Sequence, residues 1–277
     1  MEPTRTDTLS GADGVTIHRA VWEPVGAPKA VAVVAHGFGE HGGRYTNLVE
    51  RLVPAGFAVH IPDHRGHGRS GGRRAYIDRH AWLLDDLDRV FERVAVEHPG
   101  VPVVLIGHSM GGNIALGSAL RNQERLRALV LSGPAVTTHG IPRALIIAAK
   151  VLGRVAPRLG VQQLSAAGVS RDPAVVAAYE ADPLVFHGKM PAGTGAALIT
   201  SSERYVRELP SLKVPLLVVH GSADQLVSVE SGRTAHALAG SADKTLHVYD
   251  GLAHEVFNEP ERGRVLDDVM AWLDARV

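Results

Sequence analysis

The sequence predicts an α/β fold: a mostly parallel sheet of about eight strands with helices on both faces. Three observations carry this expectation. Short continuous apolar runs recur along the chain, each closed by turn residues, as strands buried on both faces require. Helix-length stretches separate most of these runs, as parallel crossovers demand. The chain has 277 residues and is 45% hydrophobic, enough for one large core that also carries an insertion.

Taken in order, two alternating segments around 4–9 and 14–22 predict an antiparallel edge. Buried strands follow at 31–35 (VAVVA), 57–61 (FAVHI), 101–106 (VPVVLI), 128–132 (ALVLS), 215–219 (PLLVV) and 245–249 (TLHVY). Helices are expected over 43–55, 80–98, 109–122, 229–239 and 260–275. One interval breaks the alternation. Between Gly133 and Lys213 no strand is evident, and a connection of that length in a compact domain needs structure of its own. Residues 135–210 are therefore expected to form a helical cap after the sixth strand. Residues 1–134 and 211–277 form the core.

Composition excludes several function classes. Lys plus Arg (29) balance Asp plus Glu (29), so nothing favours a nucleic-acid partner. With no cysteine there is no disulfide, thiolate metal site or cysteine nucleophile. Fifteen histidines invite a metal reading, and DHRGHGRSGG contains His64-x-x-His67. That stretch lacks the H-E-x-x-H pattern and its helix. It reads as a tight glycine-rich loop with hydrogen-bonded histidines, braced by Arg65, and no metal or cofactor is expected. The start, MEPTRTDTLSGADGV, has no apolar leader, and no run reaches the roughly 18 residues of a spanning helix. The expectation is a cytoplasmic protein.

The chemistry centres on VVLIGHSMGGNIALGSAL. Gly107-His108-Ser109-Met110-Gly111 is G-x-S-x-G between a strand and a helix, the context of a nucleophile elbow. Glycines at 107 and 111 allow strand and helix to approach closely. The Ser109 hydroxyl then stands above a helix N-terminus, whose field favours negative charge. A serine needs a base to attack. This arrangement expects the chain order Ser, Asp/Glu, His, with the acid after a late strand and the histidine after the last. Asp224, in PLLVVHGSADQLV, and His254, in LHVYDGLAHEVF, occupy those places. His254 is expected to accept the Ser109 proton, and Asp224 to fix its tautomer and offset its charge. Asp250 and Glu230 are weaker candidates for the acid.

The loop AHGFGEHGGRY (35–45) raises a rival. Gly37, Gly39 and Gly42 spell G-x-G-x-x-G, and Asp63 ends the next apolar run. This is the dinucleotide-binding fingerprint, but the motif alone is weak evidence, and it leaves Ser109, Asp224 and His254 as coincidences. With the elbow in place, the loop after the third strand serves a different negative charge. The backbone N–H groups of Phe38 and Met110 are expected to form the oxyanion hole.

Together these residues resemble the α/β-hydrolase superfamily and, within it, the monoacylglycerol lipases. The motifs are HGFGEHGGRY (36–45), DHRGHGRSGG (63–72), GHSMGG (107–112), SRDPAVVAAYEADPL (170–184), HGSADQLV (220–227) and YDGLAHEVFNEPER (249–262). The resemblance covers nearly the whole chain. It implies an α/β-hydrolase fold and cofactor-free hydrolysis of a monoacylglycerol to fatty acid and glycerol. It maps the triad onto Ser109, Asp224 and His254, the oxyanion amides onto Phe38 and Met110, and a polar glycerol pocket onto Arg44 and Tyr179, with Glu40 nearby. Some members place a histidine three residues after the catalytic one; this chain has Phe257. The same catalytic residues would also serve a lysophospholipase, a short-chain carboxylesterase or a perhydrolase. A nucleotide-binding oxidoreductase and a non-catalytic ligand-binding module are the remote alternatives.

The cap carries one more physical signal. Ala144–Ala149 with Val151 and Leu152 are apolar almost all round, interrupted by Lys150. Such a helix is either buried or touches lipid. The partner expected is a lipid substrate, with transient membrane or micelle contact through the cap as the second option.

Overall fold

The computed structural model describes all 277 residues. Its strands are β1 (Arg5–Ser10), β2 (Thr16–Trp22), β3 (Ala30–Ala35), β4 (Phe57–Pro62), β5 (Val103–His108) and β6 (Ala128–Ser132). They continue with β7 (Gly160–Gln162), β8 (Met190–Pro191), β9 (Leu216–Gly221) and β10 (Lys244–Tyr249). Eight of them form one sheet in the order β1-β2-β4-β3-β5-β6-β9-β10. The β1–β2 and β2–β4 pairings are antiparallel and the others parallel. The fold is that of an α/β-hydrolase, as the sequence predicts.

The apolar runs explain why the sheet is buried on both faces. Within β3, Val31 and Val33 pack on one side, and Ala30, Ala32 and Val34 on the other. The helices are α1 (Thr46–Leu52), α2 (His80–Glu97), α3 (Met110–Asn122), α4 (Arg143–Val155), α5 (Pro173–Ala181), α6 (Ala192–Glu208), α7 (Val229–Leu238) and α8 (Arg262–Asp274). The first core cluster takes in apolar residues of α2, α3 and α7, and the second those of α1 and α8.

Some boundaries differ from the sequence reading. The helix expected over 43–55 is a short 3₁₀ turn (Gly42–Tyr45) followed by α1, because Pro54 ends the helix early. The strand expected at 101–106 runs two residues later, to His108, and that at 215–219 runs on to Gly221. Both extensions bury a histidine, His108 at 4% and His220 at 0% exposure.

Between β6 and β9 lie α4, α5 and α6 with the short antiparallel pair β7–β8, which the sequence reading missed. This segment is attached unevenly. The stretch from 165 to 190 is tied to the rest of the chain by backbone bonds from Phe186 N–H to Gly39 O (2.7 Å) and from Glu255 N–H to Val169 O (2.8 Å). The Arg171 and Ser170 side chains also hold the buried Glu259. By contrast, no residue of α4 is buried; it packs on α6, with an ion pair from Lys150 to Glu203.

Candidate active site

Ser109 sits between β5 and α3 with φ 55° and ψ −118°, a left-handed-side conformation that costs about 1–3 kcal/mol for a non-glycine residue. The surroundings hold it there. Ser109 N–H donates to Ser132 O (2.9 Å), and its own carbonyl accepts from Ala135 N–H (3.0 Å). The flanking glycines are required by contact. A Cβ on Gly107 would meet the Gly111 carbonyl, and one on Gly111 would run into the Ala35 carbonyl. The strain and close packing leave the hydroxyl standing over the start of α3.

Asp224 and His254 come from the turns after β9 and β10. His254 Nδ1–H donates to Asp224 Oδ2 at 2.6 Å. Asp224 Oδ1 accepts from the backbone of Leu226 and Val227, each at 2.9 Å. Burial would raise the Asp224 carboxyl, but hydrogen bonds from His220 and His254 hold it well below the usual carboxylate range. Burial works against the charged form of His254 too; the Asp224 hydrogen bond and charge outweigh it and raise this imidazole above its usual 6.5. Ser109 and His254 face the same cavity. The hydrogen bonds of the structure join Asp224 to His254 but do not include one from His254 to Ser109. That contact commonly tightens only when substrate is bound.

The glycine-rich loop after β3 is shaped by Asp63 and Glu40. Asp63 accepts from Gly42 N–H and Arg69 N–H, both at 2.8 Å, which clamps the two glycine-rich loops together. It is buried and spent on those amides, so it is not free to hold a ribose hydroxyl. Glu40 reaches back to Gly37 N–H (2.5 Å) and accepts from Tyr45 OH (2.6 Å). The Phe38 amide donates to nothing within the chain. Met110 opens α3, so its amide has no acceptor one turn back. His36, His64 and His67 form a buried ring cluster, and burial lowers the His36 imidazole to about 3. Arg65 braces the loop through Asp86 (2.6 Å and 2.8 Å), as its position suggests. His36 Nδ1 bonds to Gly37 O, its Nε2 accepts from His64 N–H, and His67 Nδ1 bonds to Arg65 O, whereas His64 Nε2 and His67 Nε2 are buried without a partner, so the hydrogen bonding expected of these histidines is only partly made.

At one end of the cavity lies a buried ionic cluster. Arg44 Nη2 is 2.6 Å from Glu255 Oε2 and Arg44 Nε 3.5 Å from Glu40 Oε2. The guanidinium lies over the Tyr179 ring at 4.6 Å. Its Nη1 is buried and has no partner. Burial, opposed by Arg44 and reinforced by the charge of Glu40, pushes the Glu255 carboxyl up. Burial acts the same way on Glu40, but Arg44 and the donors around it win and hold its carboxyl down. The sequence reading singled out Glu40, Arg44 and Tyr179; the structure brings them together. It missed Glu255, whose one signal is adjacency to His254. Phe257 is buried in the second core cluster.

The cavity over Ser109 has a volume of about 640 Å³ and most of its lining is hydrophobic. Leu145, Ala148, Ala149 and Leu152 of α4 close it on one side, with Leu198 and Ile199 of α6. Glu40, Tyr179 and Glu255 are among the polar groups of its lining. An apolar chamber with a few convergent polar groups beside a nucleophile is the usual form of a small-molecule site.

The family described as serine aminopeptidase, S33 (Hydrolase_4) matches residues 26–261. The chain belongs to this family. Among its relatives, the monoacylglycerol lipase of Mycolicibacterium smegmatis is 46% identical over 272 residues, covering 98% of this chain and 97% of that one. The monoglyceride lipase of Homo sapiens is 36% identical, covering 97% and 90%. The crystal structure of Paleococcus ferrophilus monoacylglycerol lipase matches with a TM-score of 0.84 at 31% identity, over 94% of this chain and 99% of that one. A monoglyceride lipase variant from Saccharomyces cerevisiae matches at 0.85 with 22% identity, which speaks to the fold alone. The chain is a serine hydrolase that cleaves carboxylic esters.

Proposed function

We propose that this protein hydrolyses monoacylglycerols to a free fatty acid and glycerol. The observation that carries the reading is the lining of the cavity: a mostly apolar chamber of about 640 Å³ holds Ser109 and His254 and also takes in Glu40, Tyr179 and Glu255, which gather around Arg44. Behind these lining groups Arg44 keeps one buried nitrogen, Nη1, without a partner. A buried donor without an acceptor costs about 1–3 kcal/mol, so the site gains by receiving one. We assign glycerol recognition to Glu40, Arg44 and Tyr179, with Glu255 added.

The roles follow from position. Ser109 Oγ attacks the ester carbonyl as His254 Nε2 takes its proton. The oxyanion is held by Phe38 N–H and Met110 N–H, each such donor contributing about 3–4 kcal/mol to the transition state. The tetrahedral adduct collapses, and His254 passes the proton to the departing glycerol oxygen. Water then gives a proton to His254 and its oxygen to the acyl carbon, which returns Ser109 and releases the fatty acid. Asp224 holds the imidazole tautomer throughout.

Residues 135–210 act as the cap, with 1–134 and 211–277 as the catalytic core. Ile141, Leu145, Ile147, Val151, Val155, Leu159 and Val161 are all at least 44% exposed. Exposed apolar residues gathered on α4 and the segments flanking it support brief contact with a bilayer or micelle, from which substrate enters. No helix is long and apolar enough to cross a membrane.

Initial rates on monooleoylglycerol, a lysophospholipid, a triacylglycerol and a short p-nitrophenyl ester test this reading, with Ser109→Ala as the blank. The expected result is high turnover on the monoacylglycerol and little on the lysophospholipid and triacylglycerol. Turnover confined to the short ester would overturn the substrate assignment, and activity in the Ser109→Ala protein would overturn the nucleophile.

A further inference from the structure

Asp224 is held by a second histidine that the triad does not account for. His220 is the fifth residue of β9 and is fully buried. Its Nε2 lies 3.1 Å from Asp224 Oδ2 and 3.1 Å from Val227 O. Both neighbours are acceptors, so Nε2 must carry the proton and donate. Its Nδ1 is buried and meets no partner, so the ring is held from the Nε2 side alone. No residue but glycine fits beside that nitrogen: a Cβ on Gly232 of α7 would come within 2.6 Å of Nδ1. Asp224 Oδ2 thus accepts from two imidazoles, His254 at 2.6 Å and His220 at 3.1 Å, and Oδ1 from two backbone amides.

We propose that His220 is a positioning residue of the reaction: its Nε2–H fixes Asp224 and takes up part of the carboxylate's charge, which sets how strongly Asp224 holds a proton on His254. This rests on the triad assignment above. The physical consequence has a sign. Without the His220 donor, the two backbone amides still hold Oδ1, so the carboxylate stays in place. The charge on Oδ2 is then shared with fewer donors and attracts the His254 proton more strongly. The protonated, inactive form of His254 persists to higher pH. The other charged or titratable groups that bear on His254 are Glu255, Glu40 and His108, whose ring centroid is 4.6 Å away. All three are unchanged by a substitution at 220.

The experiment compares His220→Leu, which removes the donor, with His220→Gln, whose amide N–H reaches the same acceptor. Profiles of kcat/KM against pH on a short soluble ester are measured for both and for wild type. His220→Leu is expected to lose roughly tenfold in kcat/KM near neutrality, with its acid limb moved up by about half a pH unit to one unit. His220→Gln should keep the limb within about 0.2 units of wild type and recover most of the rate. A merely structural histidine would lower thermal stability in both without moving the limb. An unmoved or lowered limb in His220→Leu, or a His220→Gln protein as impaired as His220→Leu, overturns the proposal. Asp224→Ala run in parallel separates the two readings. If that protein keeps its rate, the triad assignment has failed, and an unmoved limb at His220 is then explained by that failure.

Discussion

Exchanging Asp224 for asparagine tests the site through a single atom. In the wild type, Oδ1 accepts two backbone amides at 2.9 Å, from Leu226 and Val227. Asparagine must keep its carbonyl oxygen there. Turning the group over would set its NH₂ against those two donors and leave three part-buried groups unpaired, at up to about 1–3 kcal/mol each. The NH₂ therefore takes the place of Oδ2, facing His254 Nδ1, which was 2.6 Å away. Being a donor, it forces Nδ1 to accept, and the imidazole proton moves to Nε2. That nitrogen can no longer take the Ser109 proton. In the serine proteases the same exchange lowers kcat by about 10⁴, equivalent to roughly 5.4 kcal/mol in the barrier. The assay is kcat on monooleoylglycerol and on a short p-nitrophenyl ester, with the rate of fluorophosphonate labelling as a second readout. A circular-dichroism melt verifies that the variant is folded. A folded Asp224→Asn protein within about tenfold of wild type would refute the tautomer argument, and with it the place of Asp224 in the mechanism.

Three further outcomes are expected. Since His254 is raised above 6.5, kcat/KM should fall as pH drops through a value above 6.5, and an acid limb at or below 6.5 refutes the shift. The same group stabilises the fold fully below 6.5 and loses that contribution as pH rises through its folded value, so melting temperature and activity should move oppositely in that window. Arg44→Met leaves Glu40 and Glu255 buried without a cation and should lower stability by about 3–5 kcal/mol in urea unfolding; a loss under about 1 kcal/mol contradicts the buried cluster. Ile147, Val151 and Val155 are 58%, 54% and 74% exposed, and changing all three to Ser removes about 3 kcal/mol of apolar contact with a bilayer. Vesicle flotation should then weaken roughly a hundredfold while turnover of a soluble short ester is unchanged, and equal flotation would refute membrane contact through α4.

Much of the fold was legible because its signal is local. A buried parallel strand is a continuous apolar run, and the runs at 31–35 and 128–132 mark β3 and β6 closely. The signal failed where a strand carries a buried polar residue. His108 and His220 look like loop residues in sequence, yet both lie in the sheet, where hydrogen bonds to Ser132 Oγ and to Asp224 and Val227 offset the cost of burying the rings. The β7–β8 pair of three and two residues is too short for any period to register. Ser109, Asp224 and His254 were singled out by order along the chain, and the fold sets Asp224 against His254 and puts His254 in one cavity with Ser109. Glu255 was not, since its meaning comes from Arg44, 211 residues earlier, and only folding brings them together.

The uneven attachment of the cap bears on how such enzymes can be recombined. The stretch from 165 to 190 hydrogen-bonds to Gly39, one residue from Phe38, whose amide is the proposed oxyanion donor, and to the amide of Glu255, one residue from His254. Transplanting the entire insertion between homologues would therefore disturb the catalytic backbone itself. Helix α4 packs chiefly on α6, where Lys150 also pairs with Glu203, so it is the unit best suited to exchange alone. Chain-length preference is then a trait that one thirteen-residue helix can carry from enzyme to enzyme, while the remainder of the cap is inherited together with the machinery.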